Sequence, residues 1–237
     1  MIRWRDIGAV VLSVGVLHAG TGAAVSRVQS PQSVEELRAA YAGPPETWPR
    51  PILHEDAVFT EFAPLPPVEH PSDNPPGAAK TALGERLFDD PRLSRSGQIA
   101  CASCHARELG FADALRTSFG HDRLRGRRNA QSVAVSAWMR PLFWDGRSPD
   151  LEAQALHPLV DPKEMAVDDL DAVVARVAAD PAYVAAFEEA FGDRTIDLKR
   201  ISMALATFQR SLRPAGGRFE RFVKGDARAL NDEQLRG

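Results

Sequence analysis

Cys101-Ala102-Ser103-Cys104-His105 is the stretch on which the reading of this chain turns. Two thiols three positions apart on one helical turn, followed at once by an imidazole, form the C-x-x-C-H pattern of covalent c-type haem attachment. Each thiol can form a thioether to a porphyrin vinyl group, and the adjacent His is then held beneath the iron as an axial ligand. The C-x-x-C spacing also serves thioredoxin-like redox pairs and halves of zinc sites. Neither fits, because the chain holds only these two Cys, which leaves zinc without a second pair, and the surroundings lack a βαβ pattern. Two cysteines cannot make a disulfide framework either, so they point to chemistry rather than to stapling.

Working outward, the chain has 237 residues, 44% hydrophobic and 26% charged, with a formal net charge of -3. That length allows one large or two small domains with a sizeable core. The net charge is slightly negative and aromatic and basic residues rarely alternate, so a nucleic-acid partner is not expected. At the N-terminus Arg3 and Arg5 precede an apolar run from Ile7 to Leu17 and small residues through Ala24. This is the pattern of a secretory signal peptide over residues 1–24, and the run falls short of the ~20 apolar residues that span a bilayer. The expected location is the periplasm, in keeping with haem attachment outside the bacterial cytoplasm.

Residues 25–78 are rich in Pro, with Pro44-Pro45, Pro66-Pro67 and Pro75-Pro76 among others. Such a segment forbids long regular elements and reads as an extended N-terminal arm. One short helix is expected within it, at Ser33–Tyr41, where Ser33 caps and Glu36 completes a capping box. Helical periodicity dominates the following domain, residues 79–229. Leu83, Leu87 and Phe88 mark one helix, and Leu170, Val173, Val174 and Val177 a second. Asp180-Pro181 opens and Gly192 closes a third. Leu198, Ile201, Leu205, Phe208 and Leu212 predict a long amphipathic helix over 197–212. The fold class is mostly α, with few or no strands. A further helix begins near Asn231-Asp232-Glu233, in residues 230–237.

With a haem at His105, the sixth position of the iron decides function. A strong second ligand makes an electron carrier, whereas an open or releasable one admits small molecules. His121, Met139, His157, Met165 and Met203 are the candidates downstream. Gly120 beside His121 reads as a flexible residue that would let this ligand move. Further along lie Phe143-Trp144-Asp145-Gly146-Arg147, then Gln154 and Glu164. A carboxylate beside bound peroxide can take the proton from one oxygen and return it to the other, and a Gln can hydrogen-bond peroxide without changing charge. Taken singly, Trp144 reads first as a core residue and Glu164 as a solvated helix residue.

In order along the chain, Leu83 to Ser94, the Cys101–His105 motif, Gly120-His121, Arg128-Asn129-Ala130, Phe143 to Arg147 and Glu164-Met165 resemble the N-terminal domain of the bacterial di-haem cytochrome c peroxidases and MauG-type proteins. The resemblance implies a cytochrome c-like haem domain, with His105 as proximal ligand and His121 as the distal ligand that leaves on activation. It implies Gln154 and Glu164 in the distal pocket, Trp144 between two haems, and Asn129 at a calcium site on the domain interface. Hydrogen peroxide is the implied oxidant. The implied donor is a c-type cytochrome or cupredoxin, or for the MauG branch a protein substrate, and a homodimer is the expectation for the full-length form. Leu109 to Asp113 and the basic run Arg123 to Arg128 look closer to the MauG branch. The family carries a second haem with its own C-x-x-C-H. With no further Cys here, residues 230–237 are expected to start a second cytochrome c domain, and the chain to be the peroxidatic half. The competing expectation is a mono-haem electron-transfer or redox-sensing cytochrome, inert to peroxide.

Overall fold

The computed structural model describes residues 33–214 and 216–236. The signal-peptide reading of residues 1–24 therefore lies outside the described residues. Among those described, the regular elements are eight α-helices and short 3₁₀ turns, and β-pairing is confined to three isolated bridges. The mostly α class holds.

Four helices start in the same way. α3 (Leu151–Val160), α4 (Leu170–Ala178), α5 (Pro181–Phe191) and α6 (Leu198–Ser211) are each capped by an Asp: Asp150, Asp169, Asp180 and Asp197. In each case the carboxylate accepts a hydrogen bond from a first-turn N–H, which satisfies an orphan donor and places negative charge at the positive end of the helix. Gly192, at φ 86°, closes α5 in the left-handed conformation. α2 (Ala78–Phe88) lacks a side-chain cap and is held by packing instead.

α6 is the centre of the fold. The periodicity predicts an amphipathic helix, but every residue from Ile201 to Arg210 is buried. The reason is that it is covered from several sides, by α2, by α3 and by the end of the arm. α2 crosses it so closely that a Cβ on Gly84 would lie 2.0 Å from the Ala204 carbonyl oxygen. Leu83, Leu87, Phe88, Leu159, Tyr183, Phe187, Ile201, Leu205 and Phe208 form one apolar core around this crossing. Burying each such side chain contributes about 1.5–3 kcal/mol.

The polar groups in the buried stretch of α6 find partners, Arg210 Nε excepted. The Arg210 guanidinium donates to both carboxylate oxygens of Glu152 on α3, at 2.5 and 2.8 Å. Asn74, 1% exposed at the end of the arm, donates to Glu152 at 2.7 Å and to the Met203 carbonyl at 3.0 Å. It accepts from the Lys80 ammonium at 2.9 Å. The arm thus ends as a plug in the polar side of the helix bundle.

Its start belongs to a second, smaller core. α1 (Val34–Ala40) forms with the capping box that Ser33 and Glu36 predict. Trp48 packs with Phe222 and Val223 of α7 (Arg218–Val223), and with Ala229, Tyr41, Leu230 and Leu235. Arg38 pairs with Asp232 of α8 (Asp232–Arg236) at 2.6 Å. Residues 230–236, read from sequence as the start of a separate unit, here lie back against the arm.

Candidate functional site

The segment between α2 and α3 builds the site almost without helix. Cys101–Ser103 is a single 3₁₀ turn, opened by the Ala100 N–H donating to Ser103 Oγ at 3.0 Å. The N–H groups of Cys104 and His105 both return to the Cys101 carbonyl, at 3.1 and 3.0 Å. This winding turns both thiols and the imidazole toward one cavity of about 560 Å³, walled by α2, α3 and α6 and by the loops. Such a volume lies within the usual range for small-molecule and cofactor sites.

Both thiols are free. Burial pushes the Cys101 thiol up to about 12 and raises Cys104 as well. A reactive redox pair needs the opposite, a depressed pKa in an electropositive setting. His105 Nδ1 lies 3.1 Å from the Phe111 carbonyl, and since a carbonyl only accepts, the proton sits on Nδ1. That leaves the Nε2 lone pair for a metal, the usual arrangement of a ligating imidazole with its other nitrogen pinned. Burial lowers the His105 pKa, partly offset by the carbonyls of Phe111 and Gln131, and so favours the neutral, ligating form. Thiols, imidazole and cavity together fit a covalently attached haem.

Gln154 on α3 and Glu164 in the turn after it line the same cavity. Glu164 is half-buried rather than solvated, and burial raises its carboxyl pKa, with Asp161 adding to the rise and Arg147 and Arg127 opposing it. Trp144 stands at the rim, 59% exposed, with its indole Nε1–H donating to the Asn129 carbonyl at 2.9 Å. It is not a core residue. Asn129 also lines the cavity, and its side-chain amide donates to the Leu115 carbonyl at 2.5 Å. The His, Asp and Glu cluster within mutual ligand distance among the described residues is the exposed trio His54, Glu55 and Asp56 on the arm, not a group around Asn129.

The sixth-ligand candidates divide. Met139, His157 and Met165 line the cavity, whereas His121 and Met203 do not. His121 lies just behind the wall that Gly120 forms. Its backbone N–H donates to the Glu164 carbonyl at 2.8 Å, and its ring Nδ1 is buried without a hydrogen-bond partner. The reading of Gly120 as a flexible residue needs correcting. Gly120 is buried at φ -109°, an ordinary value, and a Cβ there would lie 2.0 Å from the Lys163 carbonyl oxygen and 2.7 Å from Glu164 Cα. Close approach of two backbones, not freedom of rotation, requires glycine here. The unusual backbone is the next pair, Asp122 and Arg123, both at positive φ.

Sequence reasoning also missed Gln209, a buried side chain of α6 that faces the cavity and accepts from Ser136 Oγ at 3.4 Å. An amide inside an apolar helical period was the available signal.

A helical fold around a cavity that gathers a C-x-x-C-H turn, with a raised carboxyl nearby, defines a c-type haem protein. The comparisons make this specific. Residues 78–228 match the family model for di-haem cytochrome c peroxidase, and the chain belongs to that family. It is 42% identical over 171 residues to a methylamine utilization protein MauG from Methylorubrum extorquens, covering 72% of this chain and 48% of that protein. Against a cytochrome c551 peroxidase from Nitrosomonas europaea it is 39% identical over 180 residues, covering 76% and 53%. A solved MauG-like protein associated with microbial copper homeostasis superposes with a TM-score of 0.65 at 35% identity, covering 76% of this chain and 52% of that one. The chain spans about half the length of these relatives.

Proposed function

We propose that this chain is the peroxide-handling haem domain of an exported di-haem peroxidase-type oxidoreductase. The observation that carries the reading is the meeting of Cys101, Cys104 and His105 with Gln154 and Glu164 around one cavity. Family membership supports haem c as the cofactor. When bound, the haem supplies the iron at which electrons pass to peroxide.

The chain's own residues do the rest. His105, with its proton committed to Phe111, offers Nε2 to the metal. Gln154 can both donate to and accept from hydrogen peroxide, which orients it at no cost in charge. Glu164 takes a proton from one peroxide oxygen and returns it to the other, which turns the departing oxygen into water. Its raised pKa serves this, because a general acid and base works best when its pKa approaches the ambient pH. Two electrons and two protons convert one peroxide to two waters, the electrons coming from a c-type cytochrome or cupredoxin. His121 lies outside the cavity lining, but its buried, unpartnered Nδ1 makes it the residue that would help hold the metal once its loop brings it in. An interface calcium drawing on Asn129 belongs to the same reading, although no His, Asp or Glu cluster gathers around Asn129 among the described residues.

A second outlet for oxidising equivalents rests on Trp144, exposed yet pinned at the cavity rim. It favours a protein substrate, as in the MauG branch, over a wholly enclosed reaction. The export reading rests on residues 1–24, and recovery of the haem protein in the periplasmic fraction checks it.

The chain produced with covalent haem is mixed with peroxide and followed by stopped-flow absorbance. Glu164→Gln is expected to slow the spectral change by about 10²-fold or more, the usual weight of a positioned acid and base. An unchanged rate, with haem content equal to that of the parent, rejects the reading. A mono-haem electron carrier would show no peroxide reaction in either protein.

A further inference from the structure

The cavity is lined by apolar side chains, among them Phe88, Val133, Leu142, Met165 and Leu205, and by charged ones. Resting on the haem reading above, we propose that Lys163 and Arg127 bind the propionate carboxylates of the cofactor. Haem c enters with two ionised carboxylates, and an ionised carboxylate in apolar surroundings without a partner is prohibitively costly. They must therefore lie against the cationic part of the cavity.

Four cations line it: Arg127, Arg128, Arg147 and Lys163. Two of these are already committed. Asp145 receives Arg128 at 2.9 Å and Arg147 at 2.8 Å, and these guanidiniums hold its carboxyl down at about 2, so the triad is fully ionised. Arg147 also lies 3.5 Å over the Phe143 ring. Arg127 has only a long pairing of 3.8 Å, to Asp161. Lys163 is half-buried and has no ion pair among the described residues, although its backbone N–H is fixed by Asp161 Oδ1 at 2.8 Å. Lys163 and Arg127 are thus the unspent positive charge of the cavity. A guanidinium offers a planar fork to a carboxylate and an ammonium a compact point charge, so the two suit one carboxylate each.

The outer groove contains a natural control. Arg116 shares that groove with Arg127 and Lys163 but does not line the cavity. In the chain carrying covalent haem, the midpoint potential is measured by spectroelectrochemical titration. Removing a cation next to the haem favours the more positive ferric state, so Lys163→Gln and Arg127→Gln should each lower the potential. Each fall should be at least about twice that caused by Arg116→Gln, since a charge interaction weakens with distance. Lys163→Arg should remain near the parent value, and it serves in place of Lys163→Gln if that variant fails to yield haem protein. Equal shifts at all three positions overturn the assignment while leaving the haem reading intact. Absence of covalent haem in the parent chain overturns both.

Discussion

The helical scaffold and the cavity loops are held by opposite means. In the scaffold, capped helices close on α6 and side chains fill the space between them. Between residues 94 and 150 there is no α-helix, and the chain is tied by turns. Five of the six described non-glycine residues at positive φ (Phe111, Ala114, Asp122, Arg123 and Phe143) fall in this segment, and the sixth, Ala166, lies in the turn after α3. Such conformations are uncommon for non-glycine residues and persist where the surroundings over-determine them. The contrast teaches a division of labour: packing supplies stability, and constrained loops supply the geometry around a cofactor.

Five substitutions probe that division. The largest effect is expected for Arg210→Met, which leaves the half-buried Glu152 carboxylate without its cation and should cost about 3 kcal/mol in urea unfolding, the low end for breaking a buried pair. Burial alone would raise the Glu152 pKa, but hydrogen bonds from Arg210 and Asn74 outweigh it and the net shift is downward. Its ionised form therefore stabilises the fold above the ordinary carboxylate pKa, and that contribution fades as the pH falls through the lowered value. The gap between the parent and Glu152→Gln should accordingly narrow in acid.

Gly84→Ala comes next. It forces a methyl into the Ala204 carbonyl and should cost about 1–3 kcal/mol, or more if α2 and α6 cannot separate. Gly120→Ala makes a similar intrusion on the loop side, into the Lys163 backbone. If the division holds, it should leave the far-UV circular dichroism unchanged and disturb the haem absorption instead. Global unfolding by Gly120→Ala as severe as that of Gly84→Ala would break the contrast. Smallest is Ser33→Ala, which removes one cap from a seven-residue helix on the second core. A loss of about 0.5–1 kcal/mol, seen as faster hydrogen exchange in α1 alone, is expected.

Much of the scaffold was legible because its signals are local. Ser33 with Glu36, Asp180-Pro181 and Gly192 act within a few residues, and the apolar spacings of α2, α4 and α6 report which residues face the core. α3 was hidden by Pro158, which lies inside it, although Asp150, Leu151, Ala155 and Leu159 carry the cap and the stripe. Of the site, the covalent motif was readable on sight. That Gln154 and Glu164 share its cavity was not readable from spacing, because three 3₁₀ turns separate the motif from α3, and α3 itself stands before Glu164. The role of Gly120 was misread for a related reason. Its constraint comes from a backbone more than forty positions away, and nothing local records it.

Asn74 lies four residues before the stretch that matches the family model, yet it is among the most buried polar groups in the molecule. The unit recognised by ancestry and the unit that folds are therefore not the same object. A fragment trimmed to residues 78–228 would leave Glu152, Lys80 and the Met203 carbonyl without the amide that bridges them. Whoever prepares this domain alone should start upstream of the proline-rich tail of the arm.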